Sequence, residues 1–296
     1  MNPTSKGILL FTSSFLLGTM VDVPAKLLQF HGASISTTVF IRYIIALMLL
    51  TALFVSRREW PARNNIRLNL FRGLLLTAST FLNFYAVSKL PLALTVSINF
   101  ASPLISCALA PLILGEHVGP RRWAAVCVGF IGMLIVIRPG ADSFHPAMLA
   151  SLCNALVGAF YQIYTRKAGA STQPETGLLW VFGVGSVLAG IAVLGEGFTP
   201  PSPNWLWLVA LLMGVAGLAT HMVMTRGLAL APASLLAPFA YTQLIWMVVS
   251  GVVLFGDWPD KISLLGAAII IASGIYVWHR ERVTGSEAAS VTLASD

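Results

Sequence analysis

Asp22 is the one carboxylate well inside any long apolar run of this chain, and Lys26 follows it four residues later, one helical turn on. Arg42 lies deeper, within the next run. A charge removed from water costs several kcal/mol unless it is paired, neutralised or met by a ligand, so the three read as an ion-pair or coupling set. Two pairings are open: Asp22 with Lys26, the lysine reaching outward to a polar boundary, or Asp22 with Arg42. A charged ligand for Asp22 or Arg42 is the third option. Of the histidines His31, His117, His145, His221 and His279, His221 alone falls deep in a run. There it serves as a proton relay, a donor to a ligand, or a hydrogen bond to a neighbouring helix.

The neutral polar and aromatic groups gather on a few of the apolar runs: Asn83 and Tyr85, Asn99 and Ser102, Asn154, Tyr161 and Gln162, and Tyr241, Gln243 and Trp246. Each alone reads as a hydrogen bond between helices. Together they describe an aromatic-walled pocket with amide donors and acceptors, suited to a flat, mostly neutral heterocycle. Nothing in the sequence assembles a nucleophile with a base, and Cys107, Cys127 and Cys153 stand singly, without disulfide or metal-ligand spacing. Neither catalysis, a metal nor another cofactor is expected. A Walker-type phosphate loop is also missing, so direct drive by ATP is not supported.

These groups need elements that hold them at depth, and the composition says what kind. Hydrophobic residues make up 57% of the 296 residues and charged ones 10%, against roughly a quarter in a soluble domain. Runs close to the roughly 20 residues that cross a bilayer alternate with short charged connectors, which predicts an all-α membrane protein of ten spans. They fall at Ile8 to Leu28, Ser34 to Ser56, Leu68 to Ser88, Leu92 to Leu114, Trp123 to Ile137, Ala147 to Thr165, Thr176 to Leu194, Trp205 to Leu230, Ala233 to Phe255 and Ile262 to Trp278. With the N-terminus inside, thirteen Lys and Arg residues fall on the inner side and four, Lys26, Lys89, Arg138 and Lys261, on the outer. Cations accumulate on the cytoplasmic side, so both termini are expected there, in a bacterial inner membrane. The net charge of +7 then reports topology and not a nucleic-acid partner. The expected partners are a small-molecule substrate and the lipid bilayer, with a homodimer left open.

The chain also reads as two copies of a five-helix unit, residues 1–140 and 141–282, followed by a disordered tail, 283–296. Gly73, Ala78, Pro91, Leu94 and Gly115 match Gly214, Ala219, Pro232, Leu235 and Gly256 at one gapless offset of 141 residues, and Gly32-Ala33-Ser34 recurs as Gly169-Ala170-Ser171. An odd number of spans per copy predicts that the second runs through the membrane in the opposite sense. Inverted repeats of this kind let a carrier expose a central site to either side in turn. Pro103, Pro111 and Pro238 lie inside the fourth and ninth spans, where they are expected to bend the helix and open a cavity between the halves.

From Arg72-Gly73 through Phe84-Tyr85-Ala86, Leu90-Pro91-Leu92-Ala93, Pro103-Leu104, Leu114-Gly115-Glu116, Arg121-Arg122-Trp123 and Gly129-Phe130-Ile131-Gly132 to Arg138-Pro139-Gly140, the chain resembles the EamA family of the drug/metabolite transporter superfamily. The resemblance is strongest to the bacterial branch of riboflavin importers and S-adenosylmethionine uptake carriers, and departs at Asp257-Trp258-Pro259, where the first copy has Glu116. It implies an alternating-access carrier whose third, fourth, sixth, eighth and ninth spans line the central cavity. The amide and aromatic set favours riboflavin uptake. S-adenosylmethionine, whose sulfonium asks for a carboxylate such as Asp22, is the alternative, as are other amphiphilic metabolites or their export. A reading from another class, an intramembrane enzyme on lipid-linked groups, lacks a converging catalytic set.

Overall fold

The computed structural model describes residues 3–58, 65–114, 120–138, 144–169, 174–230 and 237–293, and all regular structure among them is helical. In the first half α1 spans Pro3–Phe30, α2 Ile35–Arg57, α3 Ile66–Lys89, α4 Leu92–Asn99, α5 Ala101–Leu114 and α6 Pro120–Ile137. In the second half α7 spans Ala147–Gly169, α8 Pro174–Glu196 and α9 Leu206–Leu230. A 3-10 turn, Ala237–Tyr241, then leads into α10, Thr242–Ser250, a π-helical turn, Gly251–Phe255, and α11, Lys261–Leu293. Six of these helices, α1, α2, α3, α7, α8 and α9, are long and apolar enough to cross a membrane. Shorter apolar helices at Leu92–Ser106, Trp123–Ile137, Phe239–Phe255 and Lys261–Tyr276 stand where the fourth, fifth, ninth and tenth spans were expected.

Local chemistry sets the element ends. Ser34 caps α2, its hydroxyl accepting from the Thr37 N–H at 3.2 Å, and Gly32 turns the chain into that cap with a φ of +91° that a side chain would strain. The fourth span is divided: α4 ends at Asn99, Phe100 intervenes, and α5 begins at Ala101. Pro103 has no N–H to give the carbonyl of Asn99 four residues before it, which accounts for the interruption. The ninth span is divided too, into 3-10, α and π segments. Pro232 and Leu235, Gly115 and Glu116, and Pro139 and Gly140 lie outside the described residues. At the far end α11 continues past Arg282 to Leu293, through most of the tail expected to be disordered. That stretch is rich in Ala and Ser and holds a single glycine and no proline, the strongest helix breaker.

The helices pack across the two halves. α1 lies along α9 and α3 along α7, α6 pairs with α11, α2 with α8, and α3 packs on α8 as α2 packs on α9. Glycines permit the closest approaches. A β-carbon at Gly73 on α3 would fall 2.7 Å from Val184 Cβ on α8, and one at Gly214 on α9 would fall 2.6 Å from Ile45 Cβ on α2. Between α6 and α11, Gly132 faces the carbonyl of Gly266, and the Ser273 hydroxyl donates to the carbonyl of Ala125. One buried cluster is centred on Tyr43, Phe84, Phe182 and Met213, and a second on Leu92, Ile98, Leu104 and Ile270.

Candidate functional site

At the break in the fourth span, four helices bring amides and a carboxylate together. Asn83 of α3 donates through Nδ2 to Asp22 Oδ1 of α1 at 2.8 Å. Its own Oδ1 accepts from Asn99 Nδ2, at the end of α4, at 3.2 Å and from Asn154 Nδ2 of α7 at 3.4 Å. Asn154 Nδ2 also donates to Asn99 Oδ1 at 3.0 Å, and its Oδ1 accepts from Ser79 Oγ at 2.5 Å. Asp22, Asn83 and Asn99 are only part-buried, so the cluster keeps an open side. Among the described residues Asp22 takes the Asn83 hydrogen bond alone and pairs directly with neither Lys26 nor Arg42. Both pairings considered from the sequence give way to an amide partner. Arg42 remains within electrostatic reach of the carboxylate.

One turn along α3 from Asn83, Thr80 receives Arg42 Nη1 of α2 at 2.8 Å and meets Tyr43 Oη at 2.9 Å. Arg42 is 7% exposed and its guanidinium lies over the Tyr43 and Phe84 rings, yet its Nε has no hydrogen-bond partner. His221 of α9 is 8% exposed, stands edge-on to Tyr161 and Phe182, and leaves Nδ1 without a partner. Arg72 of α3 is buried as well, donating to Asn69 at 2.8 Å and Thr165 at 3.1 Å with its guanidinium over Tyr161. Arg72 reads from the sequence as an inner-side topology charge. The threonine and asparagine that seat it show no distinctive spacing, so its burial is visible only in the fold.

The remaining candidate residues separate from this centre. Ser102 and Gln162 bond each other at 3.2 Å, with Gln162 exposed. Tyr241 turns into a packed cluster against Phe100, with its hydroxyl in the space that the missing side chain of Gly274 leaves. Gln243 faces Gly18 on α1. Tyr85 and Trp246 are exposed, at 40% and 38%, and take no part in the amide hydrogen bonds. The aromatic wall expected around the amides is therefore dispersed, apart from Tyr161 beside His221. Lys26 pairs instead with Asp257 at 2.7 Å and donates to the Leu90 carbonyl at 2.9 Å, beneath the Phe255 ring. Nearby, Asp260 opens α11, accepting from the Ser263 hydroxyl and N–H and from Arg138. Partial burial alone would raise its pKa, but these donors outweigh burial and hold it below the ordinary carboxylate value.

A twofold match to one family settles what kind of bundle this is. The EamA-like transporter family matches residues 5–138 and again 145–278. The chain belongs to the EamA-like transporter family. It is a multi-pass membrane protein and a transporter of a small metabolite. An S-adenosylmethionine uptake transporter of Rickettsia bellii is 26% identical over 94% of this chain and 95% of its own length. A riboflavin transporter of Vibrio cholerae is 26% identical over 93% and 94%. A second riboflavin transporter, from Rhizobium johnstonii, is 30% identical over 66% of this chain and 64% of its own. The fold is shared with a solved crystal structure at a TM-score of 0.58 and 18% identity, covering 92% of this chain and 93% of that one.

Proposed function

We propose that this chain is an alternating-access secondary transporter of the bacterial inner membrane, with ten spans in two inverted five-helix repeats and both termini cytoplasmic, and that the amide–carboxylate cluster is its substrate site. The observation that carries the site is the meeting of Asp22, Asn83, Asn99 and Asn154 from four helices beside an interrupted span. Interrupted helices at membrane depth are tolerated where they line a polar cavity, and carriers place their substrates there. The repeat reading is supported by the pairing of contacts across the halves. The spans of the first half meet those of the second much as their counterparts meet in return.

The relatives leave two substrates in view, riboflavin and S-adenosylmethionine. Riboflavin rests on an aromatic pocket, and the aromatic residues named for it lie mostly elsewhere. S-adenosylmethionine fits better: its adenine offers hydrogen-bonding edges to the amides, and its sulfonium and ammonium suit Asp22. The test is uptake of radiolabelled S-adenosylmethionine, and separately of riboflavin, into vesicles holding the purified full chain. Wild-type vesicles should accumulate S-adenosylmethionine above empty ones. Asn99→Ala should lower that uptake about tenfold, the scale of one lost buried hydrogen-bond partner, with thermal stability close to wild type. Accumulation of neither compound, or loss of uptake only in step with loss of folded protein, would count against the site.

A further inference from the structure

The acidic side chains that the structure describes are nearly all engaged away from the centre. Glu175 pairs with Arg226, Asp257 with Lys26 and Asp260 with Arg138, while Glu196 accepts from Ser36. Among the described residues Arg42 thus has no carboxylate in contact and is held by one hydroxyl and two aromatic faces. A guanidinium so placed is costly unless an anion comes to it, and its Nε corner belongs to the edge that grips carboxylates in bidentate fashion. That corner has no partner, although the residue is 93% buried by its 7% exposure.

A second unpartnered group converges on the same place. A β-carbon at Gly217 on α9 would lie 3.1 Å from Arg42 Nε, so this face of α9 runs directly over the guanidinium. His221 stands four residues on, on the same face, and helical side chains lean back toward the preceding turn. Its ring is therefore carried to the Arg42 end of this face, against Tyr161 and Phe182, with Nδ1 unpartnered. Asp22 lies within electrostatic reach of Arg42 but bonds Asn83. The centre thus presents a negative pole and a positive pole that do not touch.

We infer that Arg42, with His221, is the carboxylate-binding half of a bipolar site, and that the transported metabolite is a zwitterion whose cationic centre meets Asp22 while its carboxylate meets Arg42. The inference rests on the cluster being the substrate site. A substrate of this class satisfies both charges at once. A wholly neutral ring system satisfies neither, and a cation alone leaves Arg42 stranded.

The test compares S-adenosylmethionine with its decarboxylated analogue, which keeps the sulfonium and loses the carboxylate, by binding to the purified full-length protein and by inhibition of vesicle uptake. Wild type should prefer S-adenosylmethionine by an order of magnitude or more, the scale of a charge-assisted hydrogen-bonded pair. Arg42→Gln should erase that preference while leaving affinity for the analogue within about threefold, since Asp22 is intact. Arg42→Lys, which keeps the charge without the fork, should retain part of it, and His221→Phe, which preserves an aromatic in the same packing, should reduce it. A purely structural arginine would weaken both ligands equally, and equal weakening overturns the inference. So does riboflavin uptake with no competition by S-adenosylmethionine, an outcome that leaves the transporter and its site standing. Failure of every one of the compounds to bind or to be accumulated sinks the inference together with the site it rests on.

Discussion

Replacing Asp22 by Asn removes a charge and very little else. Asn still offers an oxygen to Asn83 Nδ2, so the 2.8 Å contact to α3 survives in the variant. Arg42 loses a distant attraction but keeps Thr80, its direct partner. Asp22→Asn should therefore cost about 1–2 kcal/mol, well short of the 3–5 kcal/mol that follows from breaking a buried pair in contact. Uptake of a cationic substrate should nevertheless disappear, because the only carboxylate at this depth among the described residues is gone. Melting curves in detergent beside vesicle uptake measure both quantities, and an unfolded Asp22→Asn protein would return Asp22 to a structural role. Asp22, Asn83, Asn99 and Asn154 stand out as candidates in the sequence, because polar groups are rare and costly in apolar runs. Which of them touch was not. Spacing along one helix puts Lys26 beside Asp22, whereas the lysine's true partner, Asp257, is 231 positions away and is reached only through the fold.

At the scale of elements, the division of the fourth span matters more than its length. Asn99 is the last residue of α4, and Pro103, with no N–H to give its carbonyl, leaves the chain interrupted where the amides meet. The prolines foretold a bend in this span, although the place of the break depends on which carbonyl loses its donor. The end of the same bundle is tied by Lys26, which joins α1 to the α3–α4 turn through the Leu90 carbonyl and to the loop before α11 through Asp257. With side-chain exposures of 13% and 27%, this pair lies between exposed ion pairs and fully buried ones in value, about 1–2 kcal/mol. On the topology proposed above the tie lies at the outer face, where opening must break it. Asp257→Asn should lower thermal stability by that amount and raise labelling of a cysteine placed at Asn83 by a membrane-impermeant reagent added outside. Unchanged labelling with lowered stability would make the tie a strut and not a gate.

Across the whole molecule, packing repeats and chemistry does not. Gly73 and Gly214 stand 141 residues apart, Ile45 and Val184 stand 139 apart, and each glycine receives the branched residue of the other half's second helix. Thr80 and His221 are also 141 apart, and they meet Tyr43 and Phe182, themselves separated by 139. The counterparts of Asn83 and Asn99 at an offset of 141 are Met224 and Ala240, so these two amides of the first copy are not repeated in the second. Landmark glycines made the duplication readable because close approach tolerates no other residue. The asymmetric substitutions carry no such signature, and a single sequence cannot tell a binding asparagine from a bridging one. If the two halves exchange roles during transport, the two glycine contacts should be energetically equivalent. Gly73→Ala puts a β-carbon 2.7 Å from Val184 Cβ and Gly214→Ala one 2.6 Å from Ile45 Cβ, and since backbone-borne atoms cannot swing away, each should cost about 1–3 kcal/mol. Moving the missing side chain to the other helix restores the space. Gly73→Ala with Val184→Gly, and Gly214→Ala with Ile45→Gly, should each be more stable than the sum of their single changes by 0.5 kcal/mol or more, offset in part by the helix cost of glycine. Thermal unfolding of the six variants and wild type completes both cycles, and a coupling present on one side and missing on the other would show that the halves are alike in sequence without being interchangeable in mechanism.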